Sequence, residues 1–593
     1  MTDEIPPNTN ISHNALAVLA SLPLFEDLEP GMLLAVADQL EWFCLPGGTV
    51  LFEQGDAADS LFAVTSGTLG AFRNDTDGQT VLIGRIHRGE TVGEGALLAG
   101  GLRTATVRSL RDTELVRFSK DAFDHLIQHY PSAMLQIARL TVTRLEQSLR
   151  REKPRPSSRS FAILGNGSAI DTRGFAQSLA ESLAAFGKTE VFTRDLVDRH
   201  TSAWFNEVES RRDYVVFVAD DHASPWTRQC VGQADTLILL ADAREPPRPW
   251  ANLVLSGSDP VASQRAELAL LHRRLVRPNV AGRWLDQCPA AQHHHIKSKD
   301  DISRLARMLT GNAVGIVLSG GGARGFAHIG VIRALREAGI PIDLCGGTSI
   351  GSIIASGVAA GWDNAQLVSR HRRTFVSRNP IGDYTLPLVS LASGKRVSRL
   401  LRSEVGNMDI EDLALPFFCI SADLAGASMV VHRTGPLWRC LRASVAIPGI
   451  LPPVFHDQQI LVDGGVLNHL PVDVMQTFAR GPVIGVDAGS DMSLVACDDI
   501  DEMSVLTRLR RLRSGRVPNI FQLLLRAGSL STKRVTAANR EQSSILLTPR
   551  LEGIDILDWS AFDRAIEAGY RDTIGRLDEI KNALDSDRRN IVV

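Results

Sequence analysis

A serine flanked by two glycines is the first group in this sequence that could carry out chemistry. Ser349 lies in Gly-Thr-Ser-Ile-Gly at 347–351, a Gly-x-Ser-x-Gly pattern that follows a short strand predicted at 340–345. Glycines on both sides allow the sharp strand-to-helix turn that exposes a serine hydroxyl as a nucleophile. The pattern is short, and small residues at an ordinary tight turn would also produce it. Alone, it suggests acyl transfer at Ser349 without establishing it.

A second glycine-rich turn lies upstream, where Gly-Gly-Gly-Ala-Arg-Gly at 320–325 follows the β-branched run 314–318. The glycines fit the dinucleotide-binding spacing G-x-G-x-x-G, and Asp343 lies about where an acid would bind the ribose. The alternative is an oxyanion hole, in which backbone N–H groups of 320–324 at a helix start bind a developing negative charge. Two glycine turns after successive strands are better explained together, as one site at the carboxyl edge of an α/β sheet.

A nucleophilic serine needs a base, and no histidine lies in a comparably marked turn. His456 and His469 flank a better candidate, Asp463, which ends an apolar strand and precedes two glycines. Partial desolvation would raise the pKa of its carboxyl group towards the working pH, so that it could accept the serine proton directly. An ordinary Asp-Gly turn is the alternative. Asp343 and Asp487, also at predicted strand ends, are not excluded by spacing.

The three motifs together resemble the patatin-like phospholipase family. They occur in that family's order, as Gly-Gly-Gly-Ala-Arg-Gly at 320–325, Gly-Thr-Ser-Ile-Gly at 347–351 and Asp-Gly-Gly at 463–465. The resemblance implies a dyad without histidine, in which Ser349 is the nucleophile and Asp463 the base. It also implies a patatin-like α/β hydrolase with a mostly parallel sheet over 310–490. Its oxyanion hole would be formed by Gly320, Gly321, Gly322 and Arg324.

Residues 1–155 are predicted to form a separate domain. Short alternating strands punctuated by glycines have the spacing of a small β-barrel or jelly roll. Gly93 and Glu94 open a predicted short helix, and the loop after it carries Arg103 and Thr104. A guanidinium beside a helix N-terminus suits a cyclic phosphate, and Glu94 could accept a hydrogen bond from a ribose hydroxyl. The alternative is an exposed ion pair at a turn.

This N-terminal pattern resembles a cyclic-nucleotide-binding domain. The resemblance is carried by Gly47, Gly55-Asp56, Leu61-Phe62-Ala63-Val64, Ser66-Gly67 and then Gly-Glu…Arg-Thr-Ala, with the acid nine residues before the arginine. It implies that cAMP or cGMP is an allosteric ligand bound through Gly93, Glu94, Arg103 and Thr104. A helical pattern over 121–150 and a charged, Pro/Ser-rich linker would complete the domain.

Residues 160–300 are predicted to form an intermediate α/β domain. No Gly-Lys-Ser/Thr follows its glycine turn at 165–167, so a P-loop is not supported, and we expect a structural or regulatory role. Three histidines at 293–295 lack the carboxylate or cysteine spacing of a metal site and are predicted to begin a helix. The order of barrel, intermediate unit and patatin-like unit resembles the neuropathy target esterase-like lysophospholipases.

The composition of the 593 residues is that of a globular protein, with 44% hydrophobic and 22% charged residues. A net charge of −3 creates no overall field that favours nucleic acid. Seven cysteines, scattered singly, favour a reducing compartment without disulfides or zinc. No apolar run approaches the ~18 residues of a membrane span, and no signal peptide is evident. We therefore expect a cytoplasmic protein, for which peripheral contact to the inner face of the membrane is compatible with the sequence.

Two segments bear on contact with lipid. Residues 379–396 are apolar and bounded by glycine and proline, and would form either a mobile cover over an acyl channel or an irregular connector. Residues 505–540 combine an arginine-rich stretch with an apolar one, which suits an anionic membrane surface. A solvated helix face is the more ordinary interpretation of such a stretch. The region 491–593 is predicted to be a C-terminal helical extension of the catalytic domain.

These observations predict a serine esterase that hydrolyses acyl esters of phospholipids or lysophospholipids and is regulated by a cyclic nucleotide. Catalysis would need no cofactor and no metal. Partners would be the lipid substrate and a membrane surface rather than nucleic acid, and a homo-oligomer is compatible with the sequence. One alternative is a non-catalytic, cyclic-nucleotide-regulated membrane scaffold, which intact Ser349 and Asp463 count against. Another is a dinucleotide-dependent oxidoreductase built on 320–325, which Gly347 and Gly351 argue against.

Overall fold

The computed structural model describes most of the chain, and its elements form three units in sequence order. The described residues are 40–74, 80–129, 159–167, 169–196, 202–250, 266–273, 278–288, 290–489 and 532–589. The predicted linker, most of the helix predicted over 121–150 and most of the arginine-rich segment 505–540 lie outside these ranges. None of the helices within them combines the length and apolar character needed to cross a bilayer.

The N-terminal unit is the predicted antiparallel barrel. Its elements are β1 (Glu41–Leu45), β2 (Val50–Phe52), β3 (Ser60–Ser66), β4 (Thr68–Asn74), β5 (Thr80–His87), β6 (Thr91–Val92), α1 (Glu94–Ala99), β7 (Thr106–Ser109), β8 (Thr113–Ser119) and α2 (Lys120–His129). Two four-stranded sheets, ordered β1-β8-β3-β6 and β2-β7-β4-β5, pack against each other. Val64, Leu69 and Leu115 are fully buried between them, which is the arrangement of a jelly roll.

The middle unit is a parallel sheet covered by helices. Its elements are β9 (Ser160–Gly165), α3 (Thr172–Leu183), β10 (Thr189–Phe192), α4 (Ser202–Arg211), β11 (Tyr214–Val218), α5 (Pro225–Gln233), β12 (Thr236–Asp242), β13 (Ala266–Leu271), α6 (Ala281–Gln287), β14 (Gln292–Ile296) and α7 (Lys299–Leu309). The order is β10-β11-β9-β12-β13-β14, with every pair parallel. The central strands β9, β11 and β12 are nearly continuous apolar runs, because both faces of the sheet are buried there.

The helix predicted to begin at 293–295 is wrong, because these histidines lie in the middle of β14. Their side chains are held by acceptors rather than by solvent. His294 Nε2 lies 2.7 Å from Glu267 Oε2 inside the middle unit. His293 and His295 each contact the backbone oxygen of Glu411, in the C-terminal unit, through Nε2. A polar strand is stable here because each histidine has a hydrogen-bonding partner.

The C-terminal unit is a mostly parallel eight-stranded sheet. Its elements are β15 (Gly315–Leu318), α8 (Ala327–Glu337), β16 (Leu344–Gly347), α9 (Ile350–Ala359), α10 (Asn364–His371), α11 (Lys395–Val405), β17 (Phe417–Asp423), β18 (Ser428–His432), α12 (Leu437–Ser444), β19 (Val454–His456), β20 (Gln459–Asp463), α13 (Val472–Gln476), β21 (Val483–Val486), α14 (Lys533–Glu541), β22 (Ile545–Leu547), α15 (Phe562–Ile574) and α16 (Leu577–Arg589). The order is β19-β20-β17-β16-β15-β21-β22, with β18 paired to β17.

The region predicted as a purely helical extension also contributes to the sheet, so that description was incomplete. β22 pairs with β21 in parallel, and its Ile545 and Leu547 are buried in the core of the unit. A strand of three residues is too short for hydrophobic periodicity to identify it.

Buried ion pairs join neighbouring units. Arg111, in the turn between β7 and β8, contacts Asp235 Oδ1 through Nε at 2.8 Å and Glu209 Oε1 through Nη1 at 2.9 Å. Both acids belong to the middle unit. On the other side of that unit, Glu267 is paired with Arg480 of the C-terminal unit. Separating either pair would leave a buried charge without its partner, which is strongly destabilising. These contacts therefore hold the neighbouring units in one arrangement.

Helices α8 and α15 approach each other through glycine. A Cβ atom added to Gly330 would overlap the backbone oxygen of Ile566, and one added to Gly569 would overlap that of Ala327. The two backbones are therefore in direct contact, behind the loop that follows β15. This contact holds the C-terminal segment against the sheet.

We predict that Gly330→Ala destabilises the C-terminal unit by about 1–3 kcal/mol, because the methyl group would force the two helices apart. The matched control is Gly282→Ala in α6, where an added Cβ meets no described atom within 4 Å. That control should be neutral or stabilising by about 0.5–1 kcal/mol, because alanine favours a helix over glycine. Calorimetric unfolding measures both, and equal shifts in the two variants would contradict the close packing.

Candidate active site

Ser349 occupies a strained turn between β16 and α9. Its backbone has φ 54° and ψ −128°, a conformation that side chains other than glycine rarely adopt. A Cβ on Gly347 would lie 2.6 Å from the backbone oxygen of Leu318, and one on Gly351 would overlap the same oxygen. Both glycines are needed because this turn packs directly on the end of β15. The side chain of Ser349 is partly exposed, so a substrate can reach it.

Strand register brings Asp463 level with this turn. Gly347 pairs with Cys419 on β17, and Ser421, two residues further along β17, pairs with Asp463 on β20. The hydroxyl of Ser349 is within hydrogen-bonding reach of the Asp463 carboxyl group. The structure therefore places these two predicted residues together at one edge of the sheet.

Burial makes the Asp463 carboxylate more basic. Asp463 is 6% exposed. This burial raises the pKa of its carboxyl group to about 6, although hydrogen bonds from the Ser349 hydroxyl and the Gly465 N–H act to lower that pKa. The Gly465 N–H donates to Oδ1 at 2.8 Å and fixes the carboxyl group in position. A carboxyl group with this pKa is ionised at neutral pH and still basic enough to accept a proton.

The rival acids lie in unsuitable surroundings. Asp343 precedes β16 and so lies at the opposite edge of the sheet, where it binds Arg307 at 2.7 Å. That position also removes it from the ribose-binding role in the dinucleotide hypothesis. Asp487 follows β21 at the same edge as Ser349, but Arg540 contacts it at 2.7 Å. Burial alone would raise the pKa of Asp487, whereas the charges of His469 and Arg540 outweigh burial and hold it below its usual value.

Two N–H groups of the glycine-rich loop after β15 lack an acceptor in the described part of the chain. Gly321 and Gly322 have φ 144° and 57°, and within the described residues their N–H groups have no acceptor. The other two predicted oxyanion residues use theirs internally. Gly320 N–H donates to the backbone oxygen of His469 at 3.3 Å, and Arg324 N–H donates to that of Gly321 at 3.2 Å. The loop can therefore offer main-chain donors at Gly321 and Gly322.

Sequence patterns did not identify two residues that support the site. Ser444, at the end of α12, accepts the Ser349 N–H through its Oγ at 3.1 Å. The ring of His469 packs against Gly320, and its Nε2 lies 3.8 Å from Asp487 Oδ1. Burial lowers the pKa of His469 against the opposing charge of Asp487. No sequence motif surrounds Ser444, so nothing in the sequence marks it. His469 lies six residues after Asp463, and this nearness to the predicted base is the feature that could have identified it.

The residues of the predicted nucleotide site lie together in the barrel, but the arginine of the site is hydrogen-bonded to backbone oxygens of the barrel itself. Gly93 precedes α1, Glu94 is its first residue, and Arg103 is 3% exposed beside it. The Arg103 guanidinium donates to the backbone oxygens of Gly93 at 3.2 Å and Ser60 at 2.6 Å. Thr104, next in the chain, is exposed.

Comparison with known families assigns a class to each unit. A cyclic nucleotide-binding domain model matches residues 43–130. A model described as the Neuropathy Target Esterase family P-loop like domain matches 157–299. The patatin-like phospholipase model matches 316–475, over the sheet that carries Ser349 and Asp463. The chain is thus a multidomain α/β lipid esterase with an N-terminal cyclic-nucleotide-binding barrel.

Similarity to whole proteins extends across all three units. An uncharacterized NTE family protein of Mycobacterium tuberculosis is 32% identical over 577 residues, covering 94% of this chain and 95% of that protein. The human patatin-like phospholipase domain-containing protein 6 is 29% identical, covering 90% of this chain and 44% of its own length. Lysophospholipase nte1 of Aspergillus fumigatus is 28% identical, with 94% and 43% covered. The chain belongs to the NTE family, and it spans less than half of the human and fungal relatives.

We predict that Asp463→Asn stabilises the protein near neutral pH. Because burial raises the pKa of Asp463 from 3.8 to about 6, the folded state binds more protons than the unfolded state between those values. Stability therefore falls as pH rises through this window, by about 3 kcal/mol in total. The neutral amide avoids this loss, so its unfolding temperature should exceed that of the wild type near pH 7.5.

The stabilisation should shrink as the pH is lowered towards about 5, which thermal unfolding at both pH values would show. Asp457→Asn is the matched control, because its side chain is 83% exposed and its neutralisation should change little. An Asp463→Asn protein that is less stable than wild type near pH 7.5 would contradict the raised pKa.

Proposed function

We propose that this esterase hydrolyses acyl esters of phospholipids or lysophospholipids with Ser349 as nucleophile and Asp463 as base. The observation that carries the proposal is the pairing of a strained, accessible serine hydroxyl with a buried carboxyl group whose pKa is raised to about 6. The name of the fungal relative, a lysophospholipase, supports the lipid class.

The proposed reaction proceeds through an acyl-enzyme. Oγ of Ser349 attacks the ester carbonyl carbon while its proton passes to the Asp463 carboxylate. The N–H groups of Gly321 and Gly322 donate to the negative carbonyl oxygen of the tetrahedral intermediate. Collapse of this intermediate breaks the ester bond, and the leaving alcohol takes the proton from Asp463. Water then attacks the acyl-enzyme, loses a proton to Asp463, and releases the fatty acid as Ser349 recovers its proton.

The surroundings of the dyad favour this division of roles. Ser444 holds the backbone of the turn through the Ser349 N–H, so the hydroxyl is oriented before substrate binds. The Gly465 N–H does the same for the carboxyl group. No described cation pairs with Asp463, in contrast to Arg540 at Asp487, which leaves Asp463 able to take a proton.

We predict that Ser349→Ala lowers fatty-acid release from lysophosphatidylcholine by at least about 1,000-fold, because the nucleophile is lost. Purified full-length protein and a quantitative fatty-acid assay measure this. Ser403→Ala is the control, since Ser403 is exposed on α11 and bonds only within that helix. Equal release by wild type and Ser349→Ala would refute the serine mechanism. No release by the wild type, on this lipid or a short-chain ester, would favour the scaffold alternative.

The second part of the proposal is regulation by cAMP or cGMP through Gly93, Glu94, Arg103 and Thr104. A cyclic phosphate would replace the backbone oxygens of Gly93 and Ser60 as acceptors for Arg103, because a charged acceptor binds guanidinium more strongly. Movement of this loop could reach the middle unit through Arg111, which is buried against Asp235 and Glu209. Regulation requires that the ligand bind active and inactive states with different affinity.

We predict that Arg103→Ala weakens binding of cAMP or cGMP by at least tenfold, about the value of one charge-assisted contact. Isothermal titration of the full chain measures the affinity, and Arg73→Ala is the control because Arg73 is exposed on β4 of the same barrel. Binding that is unchanged in Arg103→Ala, or absent from the wild type for both nucleotides, would remove the regulatory part of the proposal.

We further propose that the enzyme is cytoplasmic and meets its lipid as a peripheral membrane protein. Exposed apolar side chains in the described part of the C-terminal unit offer a surface for this contact.

A further inference from the structure

The strongest unassigned feature of the molecule is an apolar hairpin between α10 and α11, which we call the 383–392 hairpin. It contains Tyr384, Leu386, Leu388 and Val389, whose exposed fractions are 76%, 73%, 84% and 69%. These are four of the eleven exposed large apolar side chains in the described residues, and they fall within six consecutive positions. A contiguous apolar patch of this kind marks an interaction site.

The hairpin is an ordered structure rather than a loose connector. Tyr384 and Ala392 form an antiparallel bridge, and the N–H of Thr385 donates to the backbone oxygen of Leu391 at 3.0 Å. At its base, Asp383 Oδ2 accepts from Ser393 Oγ and from the N–H of Arg396. The apolar side chains are therefore held out into solvent by a closed backbone.

The base of the hairpin is bonded to the segment that also supports the catalytic acid. The N–H groups of Leu391 and Ala392 donate to the backbone oxygens of Gly449 and Ile450, each at 2.9 Å. Three residues before Gly449, the backbone oxygen of Ala446 accepts the N–H of Asp463 at 3.0 Å. Three residues of chain span no more than about 10 Å, so the apolar patch begins close to the dyad.

A row of cations follows the hairpin along α11. Lys395, Arg399 and Arg402 are exposed, and their spacing of four and three residues places them on one face of the helix. Val397, Leu400 and Leu401 face the core on the other side. Within the described ranges no carboxylate pairs with these three cations, and Glu404 at the end of α11 is occupied by Arg370 and Arg373. The face therefore presents net positive charge.

We propose that the 383–392 hairpin and the basic face of α11 together dock on an anionic lipid bilayer, with the hairpin side chains inserted among the acyl chains. Aliphatic side chains beside lysine and arginine match the two layers of such a surface, hydrocarbon and anionic headgroup. A protein partner would not require an uncharged hairpin next to a separate cationic helix face, whereas a bilayer surface has both matching layers. Because the apolar patch begins close to the dyad, docking here brings Ser349 near the membrane, where a lipid can leave the bilayer beside it.

This inference deepens the proposed function, and rests on it for the identity of the substrate, but it is tested separately. Vesicle flotation uses the full-length chain carrying Ser349→Ala, so that no lipid is hydrolysed. Vesicles are made of phosphatidylcholine alone or of phosphatidylcholine with phosphatidylglycerol. We expect binding that is stronger on the anionic vesicles.

Two double variants, both made in the Ser349→Ala protein, test the hairpin and the basic face of α11 separately. Leu386→Ser with Leu388→Ser should weaken binding to both vesicles at least tenfold, because these two leucine side chains no longer enter hydrocarbon. Lys395→Gln with Arg399→Gln should weaken binding to anionic vesicles by about tenfold and leave binding to neutral vesicles unchanged. Unchanged unfolding temperatures would show that both variants are folded.

Matched controls come from the same unit. Leu424→Ser removes a leucine that is 55% exposed elsewhere on the surface, and Arg571→Gln removes an exposed arginine on α15; neither should change vesicle binding. Binding by the hairpin and α11 variants equal to that of their parent would overturn the proposal. So would failure of the parent to bind either vesicle, which would leave a protein as the occupant of the patch. If the hairpin variants lose vesicle binding while the wild type releases no fatty acid, the docking surface stands and the proposed catalysis fails.

Discussion

Direct contact between two turns is the constraint on which the site depends. The backbone oxygen of Leu318, at the end of β15, touches Gly347 and Gly351 on either side of the nucleophile. It also accepts the N–H of Thr348 at 3.1 Å, which ties the turn after β16 to the neighbouring strand. Because no side chain fits between the turns, the serine hydroxyl and the glycine-loop N–H groups are held at a fixed separation. The strain of Ser349 is sustained by this packing and by the hydrogen bond to Ser444.

A second level of organisation is the difference between two acids at the same sheet edge. Asp463 and Asp487 are both buried, and burial alone raises the pKa of each. His469 and Arg540 reverse the effect at Asp487 and hold its pKa below the usual value. Among the described residues, Asp463 meets hydrogen-bond donors and no cation, so its pKa stays raised and its proton affinity suits catalysis. Position along the sheet brings both acids close, and the partner charges decide which one can act as a base.

Local chemistry explains which features the sequence predicted. The turn at 347–351 and the loop at 320–325 were identifiable because left-handed backbone and close approach require glycine, which leaves a visible pattern. Contacts between distant segments leave none, so the roles of Ser444 and of β22 were not foreseen. The histidines at 293–295 were assigned to the wrong element because their polarity is satisfied by partners outside the local sequence. His294 is bonded to Glu267 on the neighbouring strand, and His293 and His295 are bonded to Glu411, more than a hundred residues away. The second catalytic strand was also predicted at 340–345, whereas β16 begins at Leu344.

The central claim is that Asp463, tuned by burial, removes the proton from Ser349. The most direct measurement is the pH dependence of kcat/KM for a soluble short-chain ester, between about pH 4.5 and 8, because this ratio reports ionisations of the free enzyme. The account predicts one ionisation near pH 6, with the rate falling about tenfold for each pH unit below it and constant above it. A profile that is flat through pH 6, or one whose inflection disappears in His469→Gln, would contradict the assignment of Asp463 as the base.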